Sequence, residues 1–304
     1  DLNYFKKTKI LDGGMGQELL AKGLVSKGTL WSTSAILDEK FHQLLIDVHK
    51  SFINAGADVI VTNNFSSRKV RLIENKVEDK FEYVNKKACE LANKAREISK
   101  ENILIAGSLP PQNGTYVVDE REINIIKKDF KEQAEIIKPY VDFFYLDVIT
   151  SAKEIEAVCE VTEKMNMPVL VGLHLKKNGK IASGETITEI VKKYKTNNWI
   201  GLIGACVSLE IIENSSKEMS GLNIPFGFKA NLWKVDEPLP VHKFNSSKFD
   251  EVGKNPNDTM GRRDEITGEI FYNFAKKIKQ KGAKILGGCC NTNPEHIKSI
   301  SSLK

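Results

Sequence analysis

Eight short apolar runs, recurring along the chain and separated by segments of a different period, most constrain its fold. They are ILD (10–12), VIVTN (59–63), ILIAGS (103–108), FFYLD (143–147), VLVGLH (169–174), IGLIGAC (200–206), PFGFKAN (225–231) and KILGGCC (284–290). Most are continuous rather than alternating, as expected of parallel strands covered on both faces. Between them, FHQLLIDVHKSFINAG places Phe41, Leu44, Leu45, Val48, Phe52 and Ile53 on one helical stripe and stops at Gly56. INIIKKDFKEQAEIIKP and DEITGEIFYNFAKKIKQKG repeat the pattern, ending before Pro139 and at Gly282. Eight strands alternating with helices over 304 residues predict an α/β fold, a (β/α)8 TIM barrel forming one domain over 1–304. A doubly wound open sheet is the alternative, because a strand count does not prove closure. The stretch 232–263, rich in Asn, Pro, Lys and Asp, reads as a long loop before the last helix: a lid or an ordered excursion.

Charge narrows the partners. Lys and Arg number 45 against 40 Asp and Glu, a net +5, and only six of the 45 are Arg, with Lys scattered throughout. Nucleic-acid readers concentrate positive charge and favour Arg, so the expectation is no nucleic acid. No run approaches 18 apolar residues, so no membrane span is expected. The opening DLNYFKKTKI lacks a signal peptide's apolar stretch, and five cysteines make an odd set. Both point to a reducing, cytoplasmic setting. Oligomeric state is not readable, and a homo-oligomer stays open.

Cys89 and Cys159 lie in helix-like stretches and read as small buried residues. The other three are placed differently. Cys206 ends the sixth run, and Cys289 and Cys290 end the eighth. In a barrel those ends open on one face, where active sites form. Three thiolates with an open fourth position make a catalytic zinc site, although the usual CxxC spacing is absent and buried thiols at a small-residue strand end fit equally.

Other strand ends add candidates. Asp12 precedes Gly13, Gly14 and Gly16 in LDGGMGQEL, either a ligand-approaching backbone or a tight βα turn. Asp147 ends the fourth run and faces the mouth or caps the helix beginning near Ser151. His174 reads as a rim residue rather than a ligand. Neither a dinucleotide fingerprint, a P-loop nor a nucleophile elbow occurs.

LDGGMGQEL, AGADVIVTNNF and GGCCNTNPEHI together resemble the zinc-dependent homocysteine S-methyltransferases of the betaine- and S-methylmethionine-dependent type, over residues 9 to 300. The resemblance implies a (β/α)8 barrel, Zn2+ held by Cys206, Cys289 and Cys290, and homocysteine bound near Asp12, Gly13 and Gly14. The family's Glu at the end of the fourth strand corresponds to Asp147, and the Asn usual before its first zinc Cys is Ala205. Both departures fall at the amino-acid end of the pocket. The implied reaction is methyl transfer from a small onium donor (S-methylmethionine, dimethylsulfoniopropionate or betaine) to homocysteine, giving methionine. Trp31, Phe65 and Trp233 follow strand ends and are candidates to hold an onium methyl by cation–π attraction. Methylfolate as donor, another thiol as acceptor, structural or redox-active thiols, and a non-catalytic binding protein are the alternatives.

Overall fold

The computed structural model describes residues 3–304. All eight runs form parallel strands: β1 (Lys9–Ile10), β2 (Val59–Val61), β3 (Leu104–Leu109), β4 (Phe143–Ile149), β5 (Val169–Leu173), β6 (Trp199–Val207), β7 (Phe226–Ala230) and β8 (Ile285–Gly288). Each pairs with its sequence neighbour from β2 to β8, and β8 pairs with β1 through Ile10 and Leu286. A parallel bridge between Leu11 and Val59 joins the first two strands and closes the barrel, with Asp12 N donating to Val59 O at 3.0 Å. The open-sheet alternative is thereby excluded.

Strand alternation divides the core in two. Along β4, Phe143 and Tyr145 point into the barrel with Leu11, Ala106, Leu170, Ile203 and Ile285. Phe144 and Leu146 point outward into the layer covered by helices. Tyr4 and Phe5 place their rings edge-on against Phe143 at 5.4 and 6.0 Å, plugging the end of the barrel where β4 begins. The opposite end is left for a site. The three helices read from periodicity form as His42–Asn54, Ile123–Ile137 and Gly268–Gln280. Cys89 and Cys159 are buried in the helices Phe81–Ser99 and Ala152–Lys164, and burial pushes both thiols up to about 12. No helix among the described residues is long and apolar enough to cross a membrane.

The stretch 232–263 is an ordered excursion. It contains a turn at Val241–Lys243 and a short helix at Asn257–Met260, and bridges tie Trp233 to Arg262 and Lys27 to Val252. Trp233, Val241, Phe244 and Met260 from it wall the cavity at the barrel mouth.

Among the buried polar residues, one histidine is left without partners. His49, on the inner face of His42–Asn54, is fully buried and neither ring nitrogen has a partner. Burial alone depresses its pKa from 6.5 to about 4. A depressed histidine gives stability that is complete above its unfolded pKa and is lost as pH falls through the folded value. The expected loss is about 3 kcal/mol between pH 6.5 and 4, at 1.36 kcal/mol per unit. Urea titrations across that range should show His49→Leu gaining on the wild type as pH falls. Parallel profiles for the two proteins would refute the assignment.

Candidate active site

The cavity opens at the C-terminal ends of the strands, where barrel loops carry chemistry. Its volume is about 200 Å3, and Asp12, Asp147, Cys206, Lys229, Cys289 and Cys290 all line it. The three cysteines converge as their strand positions imply. Their Sγ atoms lie within 4.8 Å of one another, with Cys206 and Cys290 3.6 Å apart. Zn–S bonds of about 2.3 Å at tetrahedral angles require sulfurs about 3.8 Å apart, so the cluster already has the dimensions of a metal site. Soft thiolates without a carboxylate or imidazole in the cluster suit zinc over harder cations.

Backbone geometry builds this cluster. Cys206 adopts φ +53° and Val148 φ +69°, conformations that L-residues, and β-branched ones above all, seldom take. Each coincides with a register shift: between Leu146 and Ile149 where β4 pairs with β5, and between Ala205 and Val207 where β6 pairs with β7. Such irregularities re-aim side chains at functional rims. Trp31 and Tyr116, also left-handed, line the same cavity, each such residue costing about 1–3 kcal/mol. Asn231 Nδ2 donates to Cys206 O at 2.6 Å and pins the bend carrying the thiol.

The thiols constrain one another. Hydrogen bonds from Cys289 and Cys290 hold Cys206 well below the ordinary thiol range. The same contacts hold Cys289 and Cys290 well above it, so the bare cluster favours one thiolate rather than three. A bound dication removes that restriction. Tyr116, absent from the sequence candidates, reaches the cluster from the loop after β3, its hydroxyl 3.3 Å from Cys206 Sγ. Its ring stands 4.7 Å from that of His174. His174 contributes no ligand: Nδ1 donates to Ala205 O at 3.1 Å and the residue braces the strand bearing Cys206.

Asp12 and Asp147 both face the cavity but differ in their partners. Asp12 is buried against Lys229, with Nζ 2.5 Å from Oδ1 and 3.2 Å from the main-chain oxygen, while Val61 N donates to Oδ2 at 2.8 Å. Lys229 was not among the sequence candidates, although a lysine within the apolar run PFGFKAN is itself a signal of an inward charge. Burial disfavours its ammonium, but Asp12, Cys289 and Asp147 outweigh this and raise its pKa. Asp147 accepts from Ser108 Oγ at 2.8 Å through Oδ2. It caps no helix; Ser151 does so instead, accepting from Glu154 N. Burial pushes the Asp147 carboxyl up to about 7.

The glycines of the opening loop are there for packing. A Cβ on Gly14 would lie 2.7 Å from Cys289 O, and one on Gly13 would lie 2.8 Å from the Phe52 ring and 2.9 Å from Thr292 Oγ1. The loop after β1 is thus pressed against the loop bearing Cys289 and Cys290. Trp31 packs over Gly16, whose Cβ would overlap the indole. Trp31, Phe65 and Trp233 all line the cavity, but Phe65 already has the Arg68 guanidinium 5.4 Å from its ring centroid.

Three thiols gathered at the sixth and eighth strand ends, beside buried carboxylates in one cavity, define a barrel with a cysteine cluster of the kind that could hold a metal ion. The chain belongs to the homocysteine S-methyltransferase family, whose sequence model matches residues 9–303. It is 28% identical over 298 residues to an S-methylmethionine–homocysteine S-methyltransferase from Pongo abelii, covering 95% of this chain and 76% of that one. Homocysteine S-methyltransferase 1 from Arabidopsis thaliana is 24% identical over 96% of this chain and 92% of its own. The fold superposes on the metallated form of the homocysteine methyltransferase MmuM from Escherichia coli with a TM-score of 0.78 at 19% identity, covering 98% and 97% of the two chains.

Proposed function

We propose that this chain transfers a methyl group from a small onium donor to the thiol of homocysteine, with zinc held by Cys206, Cys289 and Cys290. The carrying observation is the convergence of three Sγ atoms within 4.8 Å in the cavity that also holds Asp147. Bound there, zinc supplies Lewis acidity that lowers the pKa of an incoming thiol to the neutral range.

The chain's own residues do the rest. Asp147, with Oδ2 fixed by Ser108, turns its other oxygen to the substrate ammonium. Asp12 stands beside it as a second carboxylate whose charge is shared with Lys229, so Asp147 carries the larger part of ammonium binding. Gly13 and Gly14 shape the backbone wall for the amino-acid end. Tyr116 holds Cys206 in place from the side of the β3 loop. Trp31 and Trp233 offer aromatic surface to an onium carbon, a role that Arg68 leaves little of to Phe65.

The thiolate sulfur of homocysteine attacks the methyl carbon in line. The C–S or C–N bond of the donor breaks, and its electron pair leaves with a neutral thioether or amine. The leaving group needs no proton, so no general acid is required. Sulfonium donors are favoured, because a thioether leaves more readily than an amine. The test is methionine formation from homocysteine with S-methylmethionine, dimethylsulfoniopropionate and betaine at equal concentration, alongside methyltetrahydrofolate with and without cobalamin. Turnover with an onium compound is expected; turnover with methylfolate alone would replace the donor class and leave the acceptor site standing.

A further inference from the structure

The cavity is unevenly charged. Its two acidic residues, Asp12 and Asp147, sit with the cysteines, and Lys229 answers the first of them. Away from them the lining carries Arg68, Arg71 and Lys254. Arg71 is paired with Glu74 at 2.7 Å. Lys254 is exposed on the 232–263 excursion. Arg68 is the unusual one. It is 2% exposed, yet among the described residues it has no ion-pair partner. Nη1 donates to Pro111 O at 2.7 Å and Nη2 to Thr115 Oγ1 at 2.9 Å, while Nε has no partner.

A guanidinium carries five N–H donors in a planar fork suited to a carboxylate. Glu74 and Glu154 act on Arg68 only at longer range, so the charge has no direct partner and Nε no acceptor, and such a group in a cavity wall calls for an explanation. Burial lowers its pKa to about 9, so the charge persists at neutral pH. The residue next to its Thr115 anchor is Tyr116, whose hydroxyl touches Cys206 Sγ. One short loop segment therefore connects the unanswered cation to the thiol cluster. A simple onium ion entering this half of the cavity would meet like charge, whereas an onium ion carrying its own carboxylate would not.

We propose that Arg68 binds the carboxylate of the methyl donor, so that the enzyme accepts onium carboxylates and discriminates against onium ions lacking that group. The assignment rests on the onium-donor reading above. Phe65 presents its ring to the guanidinium carbon at 5.4 Å, and Thr115 holds one edge.

The zinc-loaded full chain is assayed with homocysteine and either dimethylsulfoniopropionate or its carboxamide, which keeps the sulfonium and loses the negative charge. The acid is expected to be better by at least about tenfold in kcat/KM, the effect of one charge-assisted hydrogen-bonded contact. Arg68→Gln should erase that preference, slowing the acid by loss of its carboxylate partner and relieving the amide of like charge. A separate measurement needs no turnover: calorimetric binding of 3,3-dimethylbutanoate, the uncharged carbon isostere of betaine with its carboxylate retained, which Arg68→Gln should weaken at least about tenfold. Equal use of acid and amide by the wild type would overturn the proposal, and that comparison needs no variant to fold. So would a preference, or an affinity for dimethylbutanoate, that survives the substitution, because a purely structural arginine would leave both unmoved. If no onium compound donates, the donor reading fails by itself, and the calorimetry still decides what Arg68 binds.

Discussion

Replacing Cys289 by alanine is expected to abolish stoichiometric zinc and turnover together. The cluster provides three sulfurs within 4.8 Å and no fourth protein ligand among the described His, Cys, Asp and Glu, so losing one leaves two. Removing even an outer-shell partner commonly weakens metal binding 10–100-fold, and losing a thiolate should cost at least about 100-fold. A metal centre supplies several kcal/mol to the reaction, which at 1.36 kcal/mol per decade means a fall in kcat of about a thousandfold. Elemental analysis after dialysis gives the first quantity, and methionine formation the second. Cys159→Ala is the control: that thiol is buried in the helix Ala152–Lys164 and its loss should leave metal content unchanged. Full zinc retention in Cys289→Ala would remove the assignment, whatever the activity.

The cysteine cluster was legible in the sequence for a reason that does not extend to the whole site. Parallel strands covered on both faces must be apolar throughout, so β4 to β8 stand out even without alternation, and a residue at the end of such a run must lie at the mouth. That argument places Cys206, Cys289, Cys290, Asp12 and Asp147 with no knowledge of the loops. It fails for residues whose role depends on contacts remote in the chain. Asp12 and Lys229 meet across 217 positions, and Arg68 finds Pro111 and Thr115 only once the β2 and β3 loops pack together. The left-handed Val148 and Cys206 were equally hidden, because neither side chain advertises that conformation as a glycine does. Sequence did offer two neglected hints: a lysine inside an apolar strand, and a Tyr in the loop after the third run. The glycines of LDGGMG were visible, but their purpose was not. Close packing against Cys289 O and Thr292, rather than a left-handed turn, is what excludes a side chain at Gly13 and Gly14.

Asp147→Asn should weaken amino-acid binding by at least about tenfold at pH 8 and remove its pH dependence. Burial holds the wild-type carboxyl at about 7, so the site is largely uncharged at pH 6 and ionised at pH 8. An ammonium ligand needs the ionised form, so affinity should climb as pH rises through 7 and level off above it. The stability of the ligand-free protein should move the other way. A carboxyl raised above its unfolded value near 3.8 contributes stability that is complete below that value and is lost as pH rises through 7. Ligand binding and fold stability thus oppose each other at one residue, which separates a binding role from a structural one. Methionine is the suitable probe, since its thioether does not ionise and its amine stays charged across the range. A charge-assisted contact of about 1.5–3 kcal/mol corresponds to roughly ten- to a hundredfold in affinity. Asp12→Asn should cost less, because its charge is already answered by Lys229 at 2.5 Å, and the variant would leave that ammonium unpaired rather than free a binding site. Methionine affinity that is flat from pH 6 to 8 in the wild type, or unchanged in Asp147→Asn, would move ammonium recognition away from Asp147 and leave the cysteine cluster untouched.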